Sequence, residues 1–201
     1  MHKIHGHNLF IKFMMTNHHK FVSKNIIEVG TTREKYSNQS STIKIAKVCD
    51  RFDLNFITVD MDPKNTFVAS KDLKLVNPTF TAVTSKGEDY LENFQDKISM
   101  LYLDAFDTVL NENHHSQSRK KSYKEHLDCE ITNELCWKMH LDCCIHALNK
   151  VEIGGFICID DIYNSDDYFG KGMTAIPFLL ESGKYEIIEY IPDAIILKRI
   201  K

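Results

Sequence analysis

The chain is expected to fold as a doubly wound α/β domain, with a mostly parallel seven-stranded sheet and a C-terminal antiparallel hairpin. Three observations carry this expectation. Apolar runs of strand length alternate with helical patterns in the order βαβαβαβαβαβ, which calls for a parallel sheet covered on both faces. The run ISMLYL at 98–103 reads as a central parallel strand buried on both sides. The last two alternating runs, 185–191 and 194–200, are joined only by Pro192-Asp193, and so short a link requires antiparallel partners.

The elements follow in order. Residues 1–24 form a histidine-rich lead-in around an apolar stretch at 9–15, helical or irregular and packed at a sheet edge or a subunit contact. The first strand is 25–29. A helix then starts near Ser41, a good N-cap, and buries Ile43, Ala46, Val48, Cys49 and Phe52. The second strand is 55–60, with Pro63 after it and a short helix at 64–74. The third strand is 79–83, followed by a short helix at 89–94, and the fourth is 98–103. Residues 107–130 are polar and long for a connection, which marks a functional or substrate-covering insertion. A helix at 132–149, with Gly154-Gly155 shortly after it, leads to the fifth strand at 156–159; a helix at 173–181, closed by Gly183, precedes the hairpin. The domain proper is therefore 25–201.

Composition narrows the function. With 201 residues, 43% hydrophobic and 26% charged, the chain supports one well-buried core and no second full domain. A net charge of −3 argues against a dedicated nucleic-acid binder. No apolar run approaches the ~20 residues that span a bilayer, and the N-terminal apolar patch is interrupted by His2, His5, His7 and Lys12 with no small-residue cleavage site after it, so it is not read as a signal peptide. The six cysteines show no CxxC, and Cys49, Cys136, Cys143, Cys144 and Cys158 sit in apolar patterns, which fits buried thiols in a reducing, cytoplasmic setting.

Two constellations carry chemistry. Residues 25–62 read as strand, turn, helix and strand, with Gly30 at the turn and Asp60 at the second strand's tip. In a parallel sheet this arrangement holds a nucleoside, the turn admitting the ligand to backbone and the acid taking ribose hydroxyls. The second is Asp104 with Asp160 and Asp161, at the carboxyl ends of the fourth and fifth strands. Converging carboxylates repel unless a cation neutralises them, and an all-oxygen set suits Mg²⁺ or another divalent ion.

With these motifs in view, residues 25–200 resemble the class I S-adenosylmethionine-dependent methyltransferases, whose sheet is Rossmann-like. The motifs are Glu28-Val29-Gly30-Thr31-Thr32, Val59-Asp60, Ser85-Lys86-Gly87-Glu88 and Leu103-Asp104, and the reversed last strand separates that family from dinucleotide dehydrogenases. The resemblance implies S-adenosyl-L-methionine as cofactor, with Glu28, Gly30 and Thr31 at its methionine end, Asp60 at the ribose and Ser85, Lys86, Gly87 and Glu88 around adenine. Where the family carries further glycines, this chain has Thr31, Thr32 and Arg33, as in small-molecule O-methyltransferases whose next helix opens with a Ser-Thr pair, here Ser41-Thr42.

The aspartates resemble the Mg²⁺ ligands of metal-dependent O-methyltransferases of the catechol and macrocin types, implying Asp104, Asp160 and Asp161 as ligands. The catechol type has a lysine three residues after the strand-four Asp; here Asp107 stands there. His114, His115 or His126 from the insertion would then act as base, and we take His126, with Asp104, as the catalytic candidates. The expected activity is O-methylation of a small hydroxylated molecule, a sugar or secondary metabolite, without nucleic-acid or membrane partners and with a homo-oligomer as an option.

Rival readings are an NAD(P)-dependent oxidoreductase and a degenerate, non-catalytic binding subunit. His2, His5, His7, His18 and His19 form a second metal candidate, most simply incidental. His140 and His146 are expected to face solvent or pair locally, and Trp137 and His140 to pack or border the substrate side. Arg119-Lys120-Lys121 reads as a solvated patch. Gly170-Lys171-Gly172 lacks a P-loop frame and is expected to open the helix at 173–181, with Lys171 or the helix N-terminus facing an anionic part of a substrate.

Overall fold

The structure, a computed structural model, describes residues 6–33, 40–109, 117–163 and 170–201. His2, His5, His114, His115 and most of the loop between Gly30 and Ser41 lie outside the described residues.

Seven strands form one sheet: β1 (Asn25–Val29), β2 (Asn55–Asp60), β3 (Thr81–Thr84), β4 (Ile98–Leu103), β5 (Val151–Asp160), β6 (Tyr185–Ile191) and β7 (Ala194–Arg199). Their spatial order is β3-β2-β1-β4-β5-β7-β6, with β7 antiparallel to both neighbours and every other pairing parallel. The doubly wound sheet with its reversed hairpin strand is as expected. Because side chains alternate along a strand, two cores form. Ile26, Phe56, Met100, Tyr102, Cys158 and Ile196 face α1 (Gly6–Asn17), α2 (Ser41–Arg51) and α3 (Pro63–Val76). Ile27, Val59, Leu101, Leu103, Ile157 and Leu197 face α4 (Gly87–Asn93), α5 (Gln117–Leu127), α6 (Asn133–Ala147) and α7 (Ala175–Glu181).

Several boundaries move, each for a local reason. The lead-in contains α1, which buries Phe10 and Met14 fully against the sheet, so it is part of the core rather than an accessory. The third strand starts late because Asn77 Oδ1 accepts from Thr79 N and Thr79 Oγ1 and holds a turn there. The helix after it starts at Gly87, so Gly87 and Glu88 lie within it. β5 begins before Gly154-Gly155 rather than after: Gly154 takes φ +87°, and a Cβ at Gly155 would sit 2.8 Å from Ser99 O, so the pair carries an irregularity inside the strand. The 107–130 insertion contains α5. All five cysteines expected inside are buried, and all six are free thiols. Among the described residues no helix is long and apolar enough to cross a membrane.

Candidate active site

Register aligns Val29 with Val59 and with Leu103, and Leu103 with Ile159. Gly30, Asp60, Asp104 and Asp160 are each one residue further on, so they stand in a row along the carboxyl edge of the sheet. Asp60 pairs in turn with Thr84. The row floors a cleft of about 650 Å³ lined also by Ser85 to Glu88, Asp107, Asp161 and Lys171. The order of strands reverses between β1 and β4, where open α/β sheets bind ligands.

The glycine-poor turn is braced by hydroxyls. Glu28 is fully buried, and Ser41 Oγ, Thr42 Oγ1 and Thr58 Oγ1 each donate to its carboxylate at 2.7 Å. Each hydroxyl has one proton, so with Glu28 ionised the next layer is ordered as well. Thr31 Oγ1 donates to Thr58 (2.8 Å), Thr32 Oγ1 donates to Ser41 (2.9 Å), and Thr32 N donates to Thr42 Oγ1 (2.9 Å). Ser41 is thus not the helix cap; Ser40 holds that position, without a side-chain cap bond. Burial raises the Glu28 pKa to about 7 against the lowering by Thr42, Thr58 and Ser41. Glu28 does not line the cleft: alternation points it with Ile26 toward α2, so its part is to hold the turn.

Gly30 takes φ +104°, and a Cβ there would lie 2.6 Å from Ala105 N and Asp104 C. Its N–H donates to Val59 O (2.9 Å). Asp60 Oδ2 accepts from Thr31 N (3.1 Å), and Oδ1 accepts from Asp62 N and Asn65 Nδ2; burial raises its pKa. Gly87 packs against Val29, whose Cγ1 a Cβ would overlap, bringing the start of α4 onto the floor beside Glu28's strand. Ser85, Lys86, Gly87 and Glu88 all line the cleft, and burial raises the Glu88 pKa.

The three aspartates lie at one end of the cleft, but a cation supplied by the chain stands between two of them. Lys171 Nζ lies 2.8 Å from Asp104 Oδ1 and 3.0 Å from Asp161 Oδ2, and its side chain is only 4% exposed. Burial would lower its pKa, but Asp104 and Asp161 outweigh burial and hold it well above the ordinary lysine value. Asp160 turns the other way: Oδ1 accepts from Asp161 N (2.8 Å), and Oδ2 accepts from the Tyr102 hydroxyl. Burial first, then Asp104 and Asp161, raise its pKa to about 7. No group of three or more His, Cys, Asp or Glu able to hold a metal occurs among the described residues. The expected Mg²⁺ site at Asp104, Asp160 and Asp161 therefore does not fit these residues as arranged, because an ammonium stands between two of the three ligands.

Other expectations change too. His126 lies on α5 with Nε2 3.6 Å from Asp62 Oδ1 and is not among the cleft-lining residues, so it is not placed as a base. Asp107, at the missing-lysine position, accepts from Arg33 Nη1 and Nη2 (3.2 Å each), from Arg119 Nη1 (2.7 Å) and from the Tyr123 hydroxyl (2.9 Å). Burial pushes its pKa up, but Arg33 and Arg119 outweigh it and hold the carboxyl well below the usual range. Arg119 is thereby drawn out of the solvated patch, and α5 is tied to the turn after β1. His140 is fully buried and donates from Nδ1 to Cys136 O (2.8 Å). Burial, then Lys171, push its pKa down to about 3. His7 lines the cleft, whereas His18 stacks on Phe52 at 3.8 Å, so these two histidines do not act as one set. Lys171 was expected to face an anionic part of a substrate; the anions it meets are the chain's own Asp104 and Asp161. Tyr102, Tyr123 and Arg33 were not singled out as site residues.

No protein-family model and no curated protein matches the chain. Solved structures do. A methyltransferase from Podospora anserina with S-adenosylhomocysteine bound superposes with TM-score 0.62 at 13% identity, covering 97% of this chain and 78% of that one. An O-methyltransferase from Bacillus cereus, also in complex with S-adenosylhomocysteine, gives 0.56 at 15%, covering 98% and 80%. An rRNA methylase from Streptococcus thermophilus gives 0.55 at 10%, covering 100% and 99%. The fold is that of the class I methyltransferases.

Proposed function

We propose that the chain is an S-adenosylmethionine-dependent methyltransferase acting on a hydroxyl of a small molecule. The observation that carries this reading is the edge row: a glycine that no other residue can replace, an acid on the next strand tip and a hydroxyl-braced turn, all facing one cleft of ligand size. The donor half comprises Gly30, Thr31, Asp60 and Ser85 to Glu88. The acceptor half comprises Asp104, Asp107, Asp161 and Lys171.

When bound, S-adenosylmethionine supplies an electrophilic methyl group on a sulfonium. The residues fit it: Gly30 lets the turn after β1 pack directly on the 104–105 backbone at the floor of the cleft, and Asp60, anchored by Thr31 N, Asp62 N and Asn65 Nδ2, keeps one lone pair on Oδ2 for a ribose hydroxyl. In-line transfer depends chiefly on alignment, and the bracing of the turn through Glu28 supplies that rigidity. Arg33 and Arg119, clamped on Asp107, close the acceptor half with α5.

Neighbours with this fold include an rRNA methylase, but carboxylates outnumber cations along this cleft, which favours a small neutral or cationic acceptor over a polyanion. The reversed β7 disfavours a dinucleotide oxidoreductase. Six free thiols fit a reducing, cytoplasmic setting. A divalent ion has no part in this reading.

Titration calorimetry with S-adenosylhomocysteine, S-adenosylmethionine and NAD tests it. Micromolar binding of the first two and none of NAD is expected. Asp60→Ala should weaken S-adenosylhomocysteine by about 10- to 100-fold, the loss of one charge-assisted hydrogen bond. A wild-type chain that binds neither sulfur ligand refutes the proposal.

A further inference from the structure

We propose that Lys171 is a built-in cation that replaces a divalent metal in the acceptor half of the cleft. The reading of that half as an acceptor site rests on the proposed function; the replacement itself does not.

The chain constructs this lysine's position. After Ile162 it returns at residues 170–172, where Lys171 N donates to Asp161 O (3.1 Å). Gly170 takes φ +45°, and any Cβ on it would run into the Asp161 carbonyl and the Ile162 backbone; a Cβ on Gly172 would run into Ile176. Gly170 is thus required for the backbone to press against the end of β5, while a side chain at Gly172 would have to displace the end of Ile176; the residue between them reaches the aspartates.

At its tip the ammonium is saturated. Its three protons meet Asp104 Oδ1 (2.8 Å), Asp104 O (3.3 Å) and Asp161 Oδ2 (3.0 Å). The set as arranged does not suit a metal: Mg²⁺ demands near-octahedral oxygen ligands, the Lys171 ammonium stands between Asp104 and Asp161, and Asp160 is turned toward Tyr102 and Asp161 N. A single positive charge here offsets the aspartates beside a reacting hydroxyl, as a metal would, but it provides no open coordination position and no chelation. Lys171 is therefore a positioning residue, acting through the field at the acceptor rather than by taking a proton.

Removing the ammonium should uncover the cage. In an electron paramagnetic resonance titration with Mn²⁺ as the probe, the wild-type chain is expected to show no site tighter than about 1 mM. Lys171→Ala should gain one Mn²⁺ per chain, at least about tenfold tighter than wild type, and Lys171→Ala with Asp104→Asn should lose it again. Lys171→Arg, which keeps the charge, should remain as wild type. Should the alanine variant not fold, Lys171→Gln, which keeps an amide donor to Asp104, carries the same expectation. One tight Mn²⁺ per wild-type chain, or a folded alanine or glutamine variant no tighter than wild type, would overturn the proposal. Binding of S-adenosylhomocysteine, measured on the same samples, reports separately on the methyltransferase reading.

Discussion

Gly30→Ala is expected to abolish S-adenosylhomocysteine binding, by at least about 100-fold, and to destabilise the chain by about 3 kcal/mol or more. Two costs add. The residue takes φ +104°, where an L side chain is strained. Its Cβ would lie 2.6 Å from Ala105 N and Asp104 C, and these are backbone atoms at the end of a central strand. They cannot give way cheaply, because Asp104 N donates to Val29 O and Gly30 N donates to Val59 O, fixing the turn to both neighbouring strands. Gly183→Ala is the control. That glycine also takes a positive φ, +65°, but a Cβ there meets nothing within 4 Å, so a loss of about 1 kcal/mol and unchanged ligand binding are expected. Urea unfolding and calorimetry on the two variants check both statements. Equal losses in the two would show that conformation alone, rather than contact with 104–105, makes Gly30 necessary.

The central strands were legible because their buried apolar runs stand out from the polar turns around them: 25–29, 55–60 and 98–103 match β1, β2 and β4 residue for residue. Given those strands, parallel register aligns Gly30, Asp60, Asp104 and Asp160 without any further information. Signals failed where a local pattern has two outcomes. Gly154-Gly155 reads as a break after a helix but serves as an irregularity within β5, since close approach to Ser99 O also selects glycine. The polar face of α5 hides a helix that a single buried Tyr123 anchors.

Side-chain direction was the harder part. Glu28 sits beside the turn in sequence, yet period-two alternation sends it under the turn with Ile26, where it meets Thr58, its register partner on β2. Lys171 could be read in sequence as facing an anion, but not which one; its partner is Asp104, 67 residues away. The repulsion among the aspartates was legible, and so was the need for a cation. That the chain itself supplies the cation was not, because the sequence between Asp161 and Lys171 carries no periodic pattern that would place the lysine beside the aspartates.

Glu28→Gln is expected to remove a pH dependence that the wild type carries. The folded chain holds the Glu28 proton up to about pH 7, whereas the unfolded chain releases it near the ordinary value of 4.5. Between those values the folded state binds more protons, so stability falls as pH rises through this window and is restored as pH falls. The shift corresponds to about 3 kcal/mol, the cost of keeping an ionised carboxylate fully buried even with three hydroxyl donors. Asp160 titrates in the same region, so the quantity to follow is the difference between wild type and Glu28→Gln in urea unfolding from pH 4.5 to 8, where other groups cancel. That difference should move by about 3 kcal/mol against the wild type as pH rises. A glutamine also carries an NH₂ that needs an acceptor, so at least one of Ser41, Thr42 and Thr58 must turn its proton away, and the order passed on to Thr31 and Thr32 is broken at that point. Ligand affinity should therefore fall modestly, by about three- to tenfold, even where the variant is the more stable protein. A difference that stays flat across the pH range would mean that Glu28 is ionised throughout and that the hydroxyls fully offset its burial.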